Sequence, residues 1–186
     1  VNMISTRALS SFDDMMIQGI KSGLVGRSDA VDQLTTLEAL GEIEENRMVI
    51  LTISSYKFRL IVLIYFKQCE ETIAHFARMN GLDAKDMTQQ EFIDAISESG
   101  NMCCGTLNRE LGRIYPHLGM STPNIIDKEC SDYLSLLGVN HTHHFKLELN
   151  QNFTFYVSLA ICEFDDIDFD PPVLSESEST GELEMF

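Results

Sequence analysis

The chain contains no tryptophan, only four prolines among 186 residues, and few basic side chains, 13 Lys and Arg against 29 Asp and Glu. Each shortage excludes something. Without tryptophan, the core must be filled by Phe, Met, Leu and Ile, which the 44% hydrophobic content can supply. A formal charge of -16 argues against a nucleic-acid partner, because such a partner needs a basic surface to displace its counterions. Long apolar runs are missing too. The longest, Leu60 to Phe66, falls far short of the roughly 20 residues that span a bilayer, so no membrane segment is expected. No basic-then-apolar leader opens the sequence, which leads us to expect a cytoplasmic protein. The five cysteines, Cys69, Cys103, Cys104, Cys130 and Cys162, are odd in number and lie at no disulfide or zinc spacing; they read as reduced, buried, structural thiols.

The charge that is present is uneven. Nine of the sixteen excess negative charges fall between Glu163 and Phe186, a stretch with no Lys or Arg. Residues 164–186 therefore read as an acidic, mobile tail behind a single domain of residues 1–163. Within that domain, residues 6–22 have helical spacing through Leu9, Phe12, Met16 and Ile20, with Thr6 as cap and Gly23 and Gly26 as stops. Residues 29–39 read as a second short helix. Alternation in residues 48–53 and the nearly all-apolar residues 58–66 predict a hairpin, its second strand covered on both sheet faces. A helix over residues 70–80 ends at Asn80-Gly81. Thr88 and Glu91 form a capping box for a long helix of residues 89–114. Thr122-Pro123 predicts a further helix to about residue 137. Residues 144–149 and 153–161 form a second hairpin about a turn at 150–152. This order gives an α+β domain, an antiparallel sheet with long helices on one side, and the recurring helix–hairpin order allows two pseudo-symmetric halves.

The long helix is the most informative segment. At about 100° per residue, Phe92, Ile96, Cys103, Leu107 and Ile114 form an apolar sector. Asp94, Glu98, Asn101, Gly105 and Asn108 form a polar stripe opposite, about 80° wide. Glu98 and Asn101 are three apart and so neighbours on one face. The run Ser97, Ser99, Gly100, Asn101, Cys103, Cys104, Gly105, Thr106 favours helix poorly; its two glycines alone cost about 2 kcal/mol relative to alanine. Small residues of this kind either let another helix cross closely or leave room for a docking partner.

The segment Asp94-Ala-Ile-Ser-Glu98-Ser-Gly-Asn101-Met102, with Gly105 after it, resembles the signature of the CheC/CheX/FliY chemotaxis phosphatases, in particular the CheX-like branch. Ser121-Thr-Pro123-Asn-Ile-Ile-Asp127 is similar to the proline-led segment that follows the signature helix in that family, and the match extends over residues 47–163. The resemblance implies a CheC-like pseudo-symmetric fold, a phosphorylated CheY-like response regulator as partner, and homodimer formation as in the CheX branch. It implies that Asn101 orients the attacking water, that Glu98 pairs with the regulator's active-site lysine, and that Asp94, Gly105 and Asn108 line the docking face. No cofactor is required of this chain, since the partner would carry its own Mg2+. The first helix has no second Glu-x-x-Asn, so one site is implied. A non-catalytic adaptor on the same fold is the alternative function. His141-Thr-His143-His144 reads as solvent-facing loop histidines without a metal, and neither His75 nor His117 has a nucleophile tied to it. No phosphate-binding glycine loop, Ser-His-Asp order or H-E-x-x-H motif occurs.

Overall fold

The computed structural model describes residues 3–151 and 153–170. Helix α1 (Thr6–Leu24) leads into strands β1 (Val31–Leu37), β2 (Arg47–Ser54) and β3 (Phe58–Phe66); helices α2 (Glu70–Met79) and α3 (Gln89–Gly112) precede β4 (Gly119–Met120), β5 (Asn124–Asp127), β6 (His141–Leu149) and β7 (Phe153–Glu163). The strands form one antiparallel sheet in the order β1-β6-β7-β3-β2-β4, with β5 also on β2. The topology repeats. In each half a long helix is followed by an edge strand and a hairpin. The edge strand pairs with the other half's hairpin, β1 on β6 and β5 on β2, and the two hairpins meet at β3 and β7. The two-halved build expected from the sequence is present.

Alternation decides which side chains face the helices. From β3, Leu60, Val62, Ile64 and Phe66 join α1 and α3 in the main core. Ile61, Leu63 and Tyr65 point the other way, into a second cluster covered by Leu40, Ile43, Ile126, Leu134 and Val139. Burial on both faces explains why β3 is apolar at almost every position.

The two long helices lie against each other as well as against the sheet. A Cβ at Gly19 would come within 2.7 Å of the Cys103 carbonyl oxygen, and one at Gly23 within 2.4 Å of both the Ser99 carbonyl oxygen and Cys103 Sγ. On α3's sheet side, a Cβ at Gly100 would meet Leu51 at 2.8 Å. Ser99, Gly100, Cys103 and Cys104 are all buried, so most of the unfavourable small-residue run of α3 is explained by close approach to α1 and β2. Gly105 is different: nothing lies within 4 Å of where its Cβ would be.

Several expectations need correction. The stretch 29–39 holds edge strand β1, not a helix: pairing with β6 and the partial burial of Leu34 outweigh a weak helical spacing. Residues 122–137 form β5 and then a 3-10 segment, Lys128–Leu137. Ile125 and Ile126 pair with Val49 and Met48, and Pro123 sits just before the strand, where its missing N–H breaks no ladder bond. The cap of α1 is Ser5, whose hydroxyl accepts from the Ala8 amide at 3.1 Å, and Gly23 lies inside the helix as a crossing point. Three cysteines are buried as expected, but Cys69 is partly exposed and Cys130 is exposed. The acidic tail does not leave the body at residue 164. Ile4 and Ile167 pair as a parallel bridge, Arg7 holds Asp168, and Phe169 packs edge-on against Phe12 and Tyr115. The rest of the expected tail, residues 171–186, lies outside the described residues.

The contrast between the glycines is testable by urea unfolding. Gly23→Ala forces α1 away from α3 and lowers stability by about 1–3 kcal/mol, as overpacking does, despite alanine's helical advantage. Gly105→Ala meets nothing and raises stability by about 0.5–1 kcal/mol.

Candidate functional site

The start of α3 is fixed by its capping box: Thr88 Oγ1 accepts from the Glu91 amide at 3.2 Å, and Glu91 Oε2 accepts from the Thr88 amide at 2.7 Å. Phe92, Ile96, Cys103, Leu107 and Leu111 are buried along one side, and the α1 crossing occupies Ser99 and Cys103. These contacts leave α3 no rotational freedom. The stripe at 94, 98, 101, 105 and 108 is therefore the face left outward.

Asp94 and Glu98 are exposed, while Asn101, Gly105 and Asn108 are half-buried. Asp94 accepts from Gln90 Nε2 at 2.8 Å. Asn101 Nδ2 donates to Glu98 Oε2 at 3.1 Å, so the carboxylate and the amide are brought together. Asn108 stands about two turns further on with a buried, unbonded side-chain oxygen. No Lys or Arg interrupts the stripe, which makes it a negative surface able to attract a cation on another molecule. One neighbour was not singled out from the sequence. Met102 is 45% exposed beside Asn101, a large apolar side chain facing solvent on the same surface. Its signal was the Asn-Met pair of the helix motif, where it served as a marker and not as a contact.

The histidines are not solvent-facing loop residues. His141, His143 and His144 all lie on β6, and each has a partner: Glu163 at 2.7 Å, Asp13 at 2.5 Å and Ser158 at 2.7 Å. Alternation along the strand sends His141 and His143 to one face and His144 to the other. The bond to Asp13 raises the His143 pKa, whereas burial lowers that of His144. His75 is enclosed by Phe76, Phe153 and Phe155. Burial brings its pKa down to about 4, and in its neutral form Nε2 donates to the Leu24 carbonyl at 3.1 Å. Among the described residues no group of three His, Cys, Asp or Glu side chains is placed to hold a metal ion. No helix of the described residues is long and apolar enough to cross a membrane.

No family model matches the chain, and no curated protein matches it either. Solved structures do resemble it. A chain of the CheX–CheY–BeF3–Mg2+ complex from Borrelia burgdorferi superposes with a TM-score of 0.60 at 17% identity, covering 84% of this chain and 98% of that one. CheX from Vibrio vulnificus gives 0.56 at 14% identity, covering 83% and 98%. A CheC-like superfamily protein from Shewanella sp. PV-4 gives 0.54 at 11% identity, covering 84% and 98%. The chain thus has the fold of CheX and CheC-like chemotaxis proteins, the fold that the helix signature led us to expect.

The Asp13–His143 pair makes stability depend on pH in a defined direction. With the folded pKa of His143 raised, its contribution is full below the ordinary histidine value of about 6.5 and is lost as pH rises through the folded value. Asp13→Asn should lower the His143 pKa in an NMR titration and reduce the difference in urea midpoint between pH 5.5 and 8.5.

Proposed function

We propose that this chain binds a phosphorylated CheY-like response regulator across the outward face of α3 and accelerates loss of its aspartyl phosphate. The observation carrying the reading is the pairing of exposed Glu98 with half-buried Asn101 on the outward face of a helix whose small residues Ser99, Gly100, Cys103 and Cys104 are buried on its other sides. The fold likeness to a chain of a CheX–CheY complex supports the choice of partner.

The chemistry asks little covalent help of the protein. Phosphoryl transfer is driven mainly by placing the nucleophile in line and stabilising the charge on the phosphoryl oxygens. An amide suits the first task, since it can donate and accept hydrogen bonds without taking up a proton. Asn101 orients the water in line with the phosphorus. Glu98 pairs with a lysine on the regulator and so fixes the register of docking. Gly105 lets the regulator's surface approach the helix closely, with Asp94 and Asn108 at either end of the contact. The regulator supplies the Mg2+ that its phosphoryl group needs, so this chain contributes position and not a metal. Two copies would pair as a homodimer, as the CheX-like reading implies, with α3 of each left free for a regulator.

The deciding assay is phosphate release from a phosphorylated regulator with and without this protein. Wild type should accelerate release, and Asn101→Ala should reduce that acceleration by about a hundredfold, equivalent to about 2.7 kcal/mol of barrier. Binding of the regulator without acceleration by wild type would turn the reading to a non-catalytic adaptor; absence of binding would end both. Gly105→Leu, whose side chain points to open space, should fold normally and yet weaken regulator binding about tenfold by calorimetry.

A further inference from the structure

A water that attacks phosphorus must keep a lone pair free for the new bond and direct its hydrogens toward acceptors. The end of the Asn101 amide that meets this water is therefore not a matter of indifference. If the carbonyl oxygen faces it, the amide accepts a hydrogen and leaves the lone pair available. If Nδ2 faces it, the amide donates to one of the water's two lone pairs, which draws electron density from the attacking oxygen and leaves its hydrogens without this acceptor. A free amide on a helix surface can rotate between the two.

In this structure it is not free. Asn101 Nδ2 lies 3.1 Å from Glu98 Oε2, and an ionised carboxylate can only accept, so the nitrogen end must face Glu98. The remaining end, Oδ1, has no hydrogen-bond partner among the described residues and is not among the buried unpartnered oxygens, so it stays open to solvent. Glu98 is exposed and its described hydrogen-bond partner is this amide. Ser99 and Gly100, between the two residues, are held by α1 and β2, so the backbone spacing of the pair is fixed.

We infer that Glu98 is a positioning residue for Asn101, holding the amide with its carbonyl oxygen outward as the acceptor for the attacking water, in addition to pairing with the regulator. The inference rests on the phosphatase reading and deepens the account of the same site. In the step itself, the water oxygen forms a bond to phosphorus and the bond from phosphorus to the acyl oxygen breaks. That electron pair stays on the regulator's carboxylate, and both water hydrogens leave with the phosphate as H2PO4−. Asn101 ends unchanged, and Glu98 never takes a proton. The two roles of Glu98 draw on different properties, its charge for the partner and its acceptor oxygen for the amide.

The substitutions Glu98→Gln and Glu98→Ala separate them, measured as kcat and KM for phosphate release from a phosphorylated regulator. Glutamine lacks the charge but keeps a carbonyl able to accept from Asn101 Nδ2; KM should rise about tenfold while kcat falls no more than two- to threefold. Alanine lacks both; KM should rise similarly and kcat should fall about tenfold. Equal kcat in the two variants overturns the positioning role while leaving the phosphatase reading intact. In the free 15N-labelled protein, the Asn101 side-chain amide resonances should move in the alanine variant and keep a downfield, bonded shift in the glutamine variant; unchanged resonances in both overturn the inference. Failure of wild type to accelerate release overturns the phosphatase reading and this inference with it.

Discussion

The crossing of the two long helices is the constraint from which the rest follows. Gly19 and Gly23 let α1 lie directly on Ser99 and Cys103, and any Cβ at either glycine would collide with α3's backbone carbonyls. A contact this close fixes α3 in rotation as well as in position. One side of α3 must meet α1, the next must meet β2 at Gly100, and only the remaining arc can face outward. A helix turned by one residue, about 100°, would bury the carboxylate and the amide or aim them along the sheet. The steric fit of two bare glycines thus determines which chemical groups the molecule displays.

The same crossing reconciles the two ways of reading the small residues in α3. The sequence shows an unfavourable run and offers close helix contact or partner docking as reasons. Both apply, to different residues. Ser99, Gly100, Cys103 and Cys104 are small because neighbours within the chain demand it. Gly105 has no such neighbour, so its cost in helix stability has no explanation in the chain's own core. The burial of Cys103 and Cys104, which pushes both thiols up and the second to about 12, makes them apolar filling and not reactive groups.

Legibility followed the strength of local signals. The capping box at Thr88, the doubly covered strand β3, the left-handed Gly81 and the outward stripe were all readable, because each rests on residues a few positions apart. Strand β1 and residues 122–137 were not. Their conformations come from partners far along the chain: β6 for β1, and β2 for β5. The histidines of β6 failed for the same reason. Nothing near them in sequence announces that Asp13, 130 positions away, sits beside His143. At the candidate site, the spacing of Glu98 and Asn101 was legible, whereas the bond orienting the amide and the exposure of Met102 depend on rotamers and on the seating of α3.

The bridge between Ile4 and Ile167 brings the first and last segments of the described chain side by side at the N-terminal end of α1. Helix α1 runs from there to the Gly23 crossing, a distance of roughly 26 Å at 1.5 Å per residue. Ile4 and Ile167 therefore lie close to a full helix length from the Ser99 crossing. The neighbourhood of Glu98 is thus separated from this bridge by the whole length of α1. A cross-link between Ile4 and Ile167 would tighten that end of the molecule and touch none of the contacts that hold α3 in register.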